Sequence, residues 1–363
     1  MTKLEELNEL VKTGVVDGAF PGANYAIILK DKIVMNSVGN KSLYPKVEEN
    51  DINTIYDMAS LTKIISTTTC VLKLIESGIL RLYAPVKKYL PDFKFDNISV
   101  WNLMTHTSGL PEGVPHANTL KTKEEVWEKI QNLELKYEPG TKIHYSDVGY
   151  ILLGRIIEVL TNKPLNKFAK EEIFDKLKMY DTGYLPEYSS RIAPTEYRDD
   201  TVYQGYVIGK VHDETSYALG GVAGHAGLFS TVKDVANFLQ MILNDGVFEG
   251  HKFLSKATID VLYTPQVEEK TGVSKITEKR SLGWINRGPA SSAGELTSPD
   301  TILHTGFTGT NIWVDRQNEV AFVLLSNRVH PTRKNILHMD ARARYANFII
   351  AHLDEIKEEI KNK

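Results

Sequence analysis

Apolar positions along the chain change period from one stretch to the next, and each change predicts a different kind of element. "KLEELNELVKTG" repeats leucine at helical spacing and stops on glycine, which predicts a short first helix. "GANYAIILKDKIVMNSVG" follows, rich in Ile, Val and Tyr on either side of "KDK", and predicts two strands joined by a turn. "KIISTTTCVLKLIESG" places apolar residues at 64, 65, 71, 72 and 75 and ends at Gly78, the pattern of a helix with a buried face.

From about residue 85 to 265 the pattern is helical with irregular connections, as in "KEEVWEKIQNL", "DVGYILLGRIIEVLTNK", "LNKFAKEEIFDKL" and "VKDVANFLQMIL". "THTSGLPEGVP" and "YEPGTKIHYSD" carry Pro and Gly and read as loops. Strand patterns return at "SLGWINR", "ILHTGFTGTNIWVD" and "EVAFVLLSNR", before a long closing helix near "MDARARYANFIIAHLDEIKEEIK". Strands at both ends around a helical middle predict a mixed α/β (α+β) fold. One antiparallel sheet is assembled from both ends of the chain and covered by terminal helices, with an all-helical domain inserted. The expected division is a sheet domain from 1–84 and 275–363 and a mostly helical domain from 85–274, the active site lying between them.

Composition narrows function more than fold. With 42% hydrophobic and 25% charged residues the chain reads as an ordinary globular protein. Forty-three Lys+Arg against 46 Asp+Glu leave a formal charge of −3 without a basic block, which argues against nucleic acid and for a small-molecule partner. The single cysteine, Cys70, can form no intrachain disulfide and falls in a helical apolar pattern. No basic start followed by an apolar run opens the chain, and no apolar stretch reaches membrane-spanning length. As it stands the sequence reads as cytoplasmic; one with a trimmed export signal would read the same.

Candidate chemistry begins at "IYDMASLTKIIS", where Ser60 stands three residues before Lys63. A serine hydroxyl is a weak nucleophile until a neighbour takes its proton, and a lysine one helical turn away can do so. The same Ser-x-x-Lys spacing recurs at Ser230 and Lys233, so spacing alone does not decide between nucleophile and helix cap. In "STVKD" either Ser230 or Thr231 reads as an N-cap, with Asp234 at capping-box distance from Thr231.

"MASLTK" resembles the nucleophile motif of serine β-lactamases and penicillin-binding proteins, especially the class C branch with its related carboxypeptidases, aminopeptidases and esterases. That resemblance implies a β-lactamase/transpeptidase-like fold, no cofactor and no metal, and two further motifs in order. Tyr145-Ser146-Asp147, within "EPGTKIHYSDVGYILLGRIIE", is similar to the family's Tyr-x-Asn, with Asp147 where asparagine is usual. An ionised Asp147 would favour Lys63 as ammonium or contact a substrate group. His304-Thr305-Gly306 resembles the third motif, with histidine where lysine is usual, as in aminopeptidase-like members. Literal Lys-Thr-Gly at 12–14 and 270–272 reads as structural, the second lying in a polar run with no strand expected after it. Tyr345-Ala346-Asn347 reads as part of the closing helix, with Tyr345 in the core.

"LMTHTSGLP" and the glycine-rich "VHDETSYALGGVAGHAGLFSTVKD" resemble the walls of the family's site, and the second, with "SNRVHPTRKN", resembles a cell-wall-turnover subgroup of muramyl-peptide amidases. The resemblance implies Ser60 as nucleophile, Lys63 and Tyr145 as proton carriers, and an oxyanion site from the N–H groups of Ser60 and Phe307. His304 would bind substrate or assist the leaving group. Asp147, Thr305, Gly306, Phe307 and His225 would line the substrate site. His212, Asp213, Glu214 and His225 match no standard zinc spacing and read as polar lining. The expected function is a serine hydrolase acting through an acyl-enzyme on muropeptides or D-residue peptides. A small-ester esterase, a DD-carboxypeptidase or β-lactamase, and a non-enzymatic penicillin-binding sensor are the alternatives.

Overall fold

A computed structural model describes residues 1–271, 276–289 and 291–362. Nine strands form one sheet, in the spatial order Val267–Thr271, Ile276–Arg280, Ile285–Asn286, Thr301–Thr305, Asn311–Asp315, Val320–Ser326, Gly22–Ile28, Ile33–Ser42 and Glu48–Glu49. Every neighbouring pair is antiparallel. The two ends of the chain meet where Gly22–Ile28 pairs with Val320–Ser326, from Ala23 opposite Ser326 to Ile28 opposite Ala321.

Both faces of the central strands are buried, so they read as continuous apolar runs, yet alternation still sorts their side chains. Tyr25, Ile27, Trp313, Phe322 and Leu324 face a core closed by the terminal helices, with Leu7 and Val11 from Lys3–Val16 and Tyr345 and Ile349 from His338–Ala351. Ala26, Ile28, Ile312, Val314, Val323 and Leu325 face a larger core with the helices Thr69–Glu76, Asp147–Thr161 and Val232–Leu243. Thr2 and Glu5 cap the first helix reciprocally.

Two expectations need correction. The polar run around 270 is not strandless: Val267–Thr271 and Ile276–Arg280 form an antiparallel hairpin at the sheet's edge, and charged residues suit the outer strand, Val267–Thr271, because only one of its sides is paired. The expected 274/275 boundary and Gly272 lie outside the described residues. The closing helix is two, His338–Ala351 and Leu353–Lys361, and the break at His352 leaves Leu353, Ile356 and Ile360 in the same core as Ile349. Tyr345, as expected, is buried. Among the described residues no helix is long and apolar enough to cross a membrane.

Candidate active site

Ser60 follows a turn held under constraint. The buried Asp57 carboxylate accepts the Ala59 N–H at 2.8 Å and the His212 N–H at 2.7 Å. Ala59 adopts φ +46°, a left-handed conformation that costs a residue with a Cβ on the order of 1 kcal/mol. The helix begins immediately after Ser60 and passes into a π-helical segment, Lys63–Thr68. There the Thr69 hydroxyl donates to the Ile64 carbonyl five residues back. π-segments often mark functional sites. This one is fastened to the glycine-rich loop, since Thr67 donates to the Gly224 carbonyl at 2.6 Å and Thr62 accepts the Leu228 N–H at 3.1 Å. Gly224 has to be glycine, because a Cβ there would lie 2.0 Å from the Tyr150 carbonyl oxygen.

Those fastenings leave Lys63 fully buried. Its Nζ donates to Ser60 Oγ at 3.0 Å and to the His225 carbonyl at 3.1 Å, and lies 2.6 Å from Asp147 Oδ1. Burial pulls the ammonium toward neutrality, but Asp147 and Tyr145 outweigh it, and Lys63 ends above the ordinary lysine value of 10.5. Asp147, Asp213 and His225 bring three ligand-type atoms within 4.8 Å of one another. The cation serving this group is the Lys63 ammonium, and Asp213 Oδ1 is already bonded to His225 Nε2 at 2.7 Å. Of the four residues weighed for zinc, Asp213 and His225 stay together while the other two turn elsewhere: His212 pairs with Glu196, and Glu214 with Arg333 and Arg198.

Tyr145, Ser146 and Asp147 divide their work by position. Ser146 caps the helix Asp147–Thr161 through the Gly149 N–H. Asp147, in the first turn, stands where the helix dipole favours a carboxylate. Tyr145, just outside, donates its hydroxyl to Ser60 Oγ at 2.9 Å. The His106-Thr107-Ser108-Gly109 turn sets this segment. His106 Nδ1 accepts the Ser146 N–H, its carbonyl accepts the His144 N–H, and its ring stacks on Tyr145 with centroids 4.6 Å apart.

The loop after the strand Thr301–Thr305 closes the opposite side. Thr308 Oγ1 donates to the Asp57 carbonyl at 2.7 Å and Thr310 Oγ1 to the Met58 carbonyl at 3.2 Å, so the loop is tied to the turn that leads into Ser60. A Cβ on Gly306 would lie 2.1 Å from Thr310 Oγ1 and 2.7 Å from the Met58 carbonyl oxygen, and glycine is what permits that approach. The backbone N–H groups of Ser60 and Phe307 donate to no acceptor among the described residues. One of these free N–H donors belongs to the residue that carries the hydroxyl and the other to the loop tied to its turn, and free donors of this kind are what an oxyanion requires.

Residues 7–347 match the Beta-lactamase family. The chain belongs to the beta-lactamase family. As a member of it, the chain is 32% identical over 372 residues to a protein of Escherichia coli O157:H7 named "Putative D-alanyl-D-alanine carboxypeptidase", covering 90% of this chain and 83% of that one. A protein of the same name from Salmonella agona is 31% identical with the same coverage. Among solved structures, a penicillin-binding protein homolog from Caulobacter crescentus superimposes with a TM-score of 0.77 at 16% identity, covering 96% of this chain and 97% of that one. A hydrolase with promiscuous acyltransferase activity gives 0.76 at 18% identity, covering 96% and 98%. At these identities the likeness concerns the fold, which is β-lactamase/transpeptidase-like.

In this beta-lactamase-family site the structure brings together Ser60, Lys63, Tyr145 and Asp147. His304 is buried; its Nδ1 donates to the Thr305 carbonyl at 2.9 Å, and burial together with the Lys63 and Arg280 charges pushes its pKa down to about 3. It is a neutral imidazole with Nε2 unpartnered among the described residues. Phe307 is 49% exposed, its ring stacked on His212 and lying 4.4 Å from the Arg328 guanidinium. The His225 side chain is buried against Asp213, and it is the backbone carbonyl of this residue that reaches Lys63. Arg280 and Arg342 carry no signal of their own in the sequence, one falling in a polar run and the other in a helical one. Arg280 is buried at the end of the edge hairpin, bonded to Glu278, with its guanidinium 5.6 Å from the Tyr145 ring centroid.

Proposed function

We propose that the protein is a serine acyl hydrolase that cleaves an amide in muropeptides or D-residue peptides. One observation carries the reading: Ser60 Oγ is held at 3.0 Å by Lys63 and 2.9 Å by Tyr145, beside the two unused N–H groups. An ammonium cannot accept the Ser60 proton. Asp147, 2.6 Å from Lys63, therefore holds the lysine's proton when substrate excludes water and the nucleophile is activated. Ser60 Oγ then bonds to the carbonyl carbon while its proton passes to Lys63. Charge on the carbonyl oxygen is met by the N–H groups of Ser60 and Phe307, each worth about 3 kcal/mol. The C–N bond breaks as the leaving nitrogen takes the proton through Lys63 and Tyr145, and water later hydrolyses the acyl-enzyme.

A carboxypeptidase is the second reading, favoured by Arg280. Neutral His304 offers no fixed charge for a terminal carboxylate, but the buried Arg280 guanidinium does, with Nη1 unpartnered among the described residues. The test is mass spectrometry of products from one muropeptide carrying both an N-acetylmuramyl-L-alanine bond and a terminal D-alanyl-D-alanine, with Ser60→Ala as control. Release of the sugar from an intact peptide supports the amidase. Loss of one D-alanine supports the carboxypeptidase, and cleavage of neither bond removes both.

A further inference from the structure

We propose that Arg342, from behind the sheet's end, positions and polarises the peptide group whose N–H receives the oxyanion. This rests on the acyl-hydrolase reading above. Arg342 lies in the helix His338–Ala351 and is buried. Its Nη2 donates to the Thr310 carbonyl at 3.1 Å and, more weakly, to the Gly306 carbonyl at 3.4 Å. The Gly306 carbonyl and the Phe307 N–H belong to one peptide group. In a trans peptide the two point in opposite directions, so a guanidinium bound to the carbonyl leaves the N–H aimed away from the helix. The loop's other attachments, Thr308 to Asp57 and Thr310 to Met58, lie toward the nucleophile's turn. A charged donor on the carbonyl also draws electron density from the peptide and makes its N–H a stronger donor.

The rest of the loop is built around the same atoms. Gly306 N–H donates to the Thr310 carbonyl at 2.8 Å, and Gly309 N–H to the Gly306 carbonyl at 3.1 Å, so Arg342 spans a closed turn. Arg328 treats the following peptide likewise, its Nε donating to the Phe307 carbonyl at 2.8 Å. Among the described residues neither guanidinium has a carboxylate partner within salt-bridge distance. The charged and titratable groups that bear on Arg342 are Arg328, of like sign, and His338, which burial and the two arginines keep neutral. A buried cation without a counter-ion is costly to the fold. The negative charge that would compensate it is one that develops only during the reaction.

The experiment compares wild type, Arg342→Gln and Arg342→Lys, each checked by thermal melting. The readouts are hydrolysis of p-nitrophenyl acetate and affinity for phenylboronic acid, whose adduct with a serine places an oxygen anion in the oxyanion site. Arg342→Gln is expected to lower kcat and boronate affinity together, on the order of tenfold, with KM unmoved, because one donor is weakened rather than removed. Arg342→Lys keeps a charge but reaches one carbonyl at a time, and should fall between the two. If Arg342→Gln does not fold, the lysine variant carries the test, and boronate affinity equal to wild type overturns the proposal. A folded glutamine variant with unchanged kcat and boronate affinity overturns it too. Fluorophosphonate labelling of wild type separates the premises: without acylation of Ser60 the hydrolase reading itself falls, whereas normal acylation with no effect of Arg342 removes the arginine alone.

Discussion

Two Ser-x-x-Lys segments in this chain share a spacing and little else. Lys63 is fully buried and surrounded by Ser60, Asp147, Tyr145 and the His225 carbonyl, whereas Lys233 is exposed in the first turn of its helix. Ser60 Oγ accepts two hydrogen bonds from groups that exchange protons. Ser230 Oγ pairs with Thr182 at 2.7 Å inside a short strand, and Thr231 caps the helix that follows. The difference is one of surroundings, because a lysine in water stays an ammonium, whereas burial works against the charge on Lys63 and Asp147 beside it decides how firmly the proton is held. The second segment even serves the first: Ser230 pairs with Tyr56 in the strand leading to Ser60.

The largest effect separating the two is loss of the reaction itself. Ser60→Ala and Lys63→Met should each lower ester hydrolysis by about a thousandfold or more, since nucleophile and proton acceptor act as one unit. Labelling by a fluorophosphonate should disappear in the first and slow sharply in the second. A Lys63→Met protein that labels at the wild-type rate would sink the assignment of Lys63.

Much of this arrangement was legible in the sequence, and the reason differs by residue. Ser60, Lys63 and Tyr145 fall in runs whose neighbours repeat a known pattern, and the sheet's central strands announce themselves through β-branched and aromatic residues buried on both faces. Arg280 and Arg342 carried no local signal, because their importance comes from contacts across 135 and 36 residues of chain, to Tyr145 and Gly306. The edge hairpin was missed because its paired strands are polar, and polar strands have no hydrophobic period to read. His225 was expected to line the substrate site, and what it offers Lys63 is its backbone carbonyl, because a side chain says nothing of where its own carbonyl will point.

A smaller change sharpens the comparison at Lys63 without removing it. Burial lowers the pKa of Lys63 and Asp147 is the first of the groups that raise it, so Asp147→Asn should let the amine form appear at lower pH. The acid limb of kcat/KM then moves down in pH together with the lysine, and at a fixed pH on that limb the amine fraction rises about tenfold for every tenfold weakening of its hold on the proton. The stability consequence follows from the direction in which the lysine is moved. A lysine raised in the folded state stabilises it fully below the unfolded value of about 10.5, and that contribution is lost as pH rises through the higher folded value. Wild type should therefore lose Tm above about pH 10.5 more steeply than Asp147→Asn. An acid limb that does not move would show that Asp147 does not control the lysine.

The smallest effects belong to the second segment, and they test whether surroundings rather than spacing confer chemistry. Thr182 Oγ1 has one proton and lies 2.8 Å from the Asp234 carboxylate, so Ser230 is the donor in the pair with Thr182. Ser230→Ala then deletes this buried hydrogen bond and the longer one from Ser230 Oγ to the Thr231 carbonyl at 3.3 Å, but strands no donor, at a cost of about 1 kcal/mol. In a chain of this size that lowers Tm by roughly 2 °C. Lys233→Met changes an exposed side chain and should alter stability by less than about 0.5 kcal/mol. Ester hydrolysis should stay within about twofold of wild type in both, because neither group touches Ser60 and the strand pairing of Ser230 with Tyr56 is made by the backbone. A loss in Ser230→Ala as deep as that of Ser60→Ala would transfer the nucleophile to the other segment. A loss of tenfold with Tm unchanged would instead mean that the short strand beside Tyr56 and Asp57 sets the angle at which Ser60 meets its substrate.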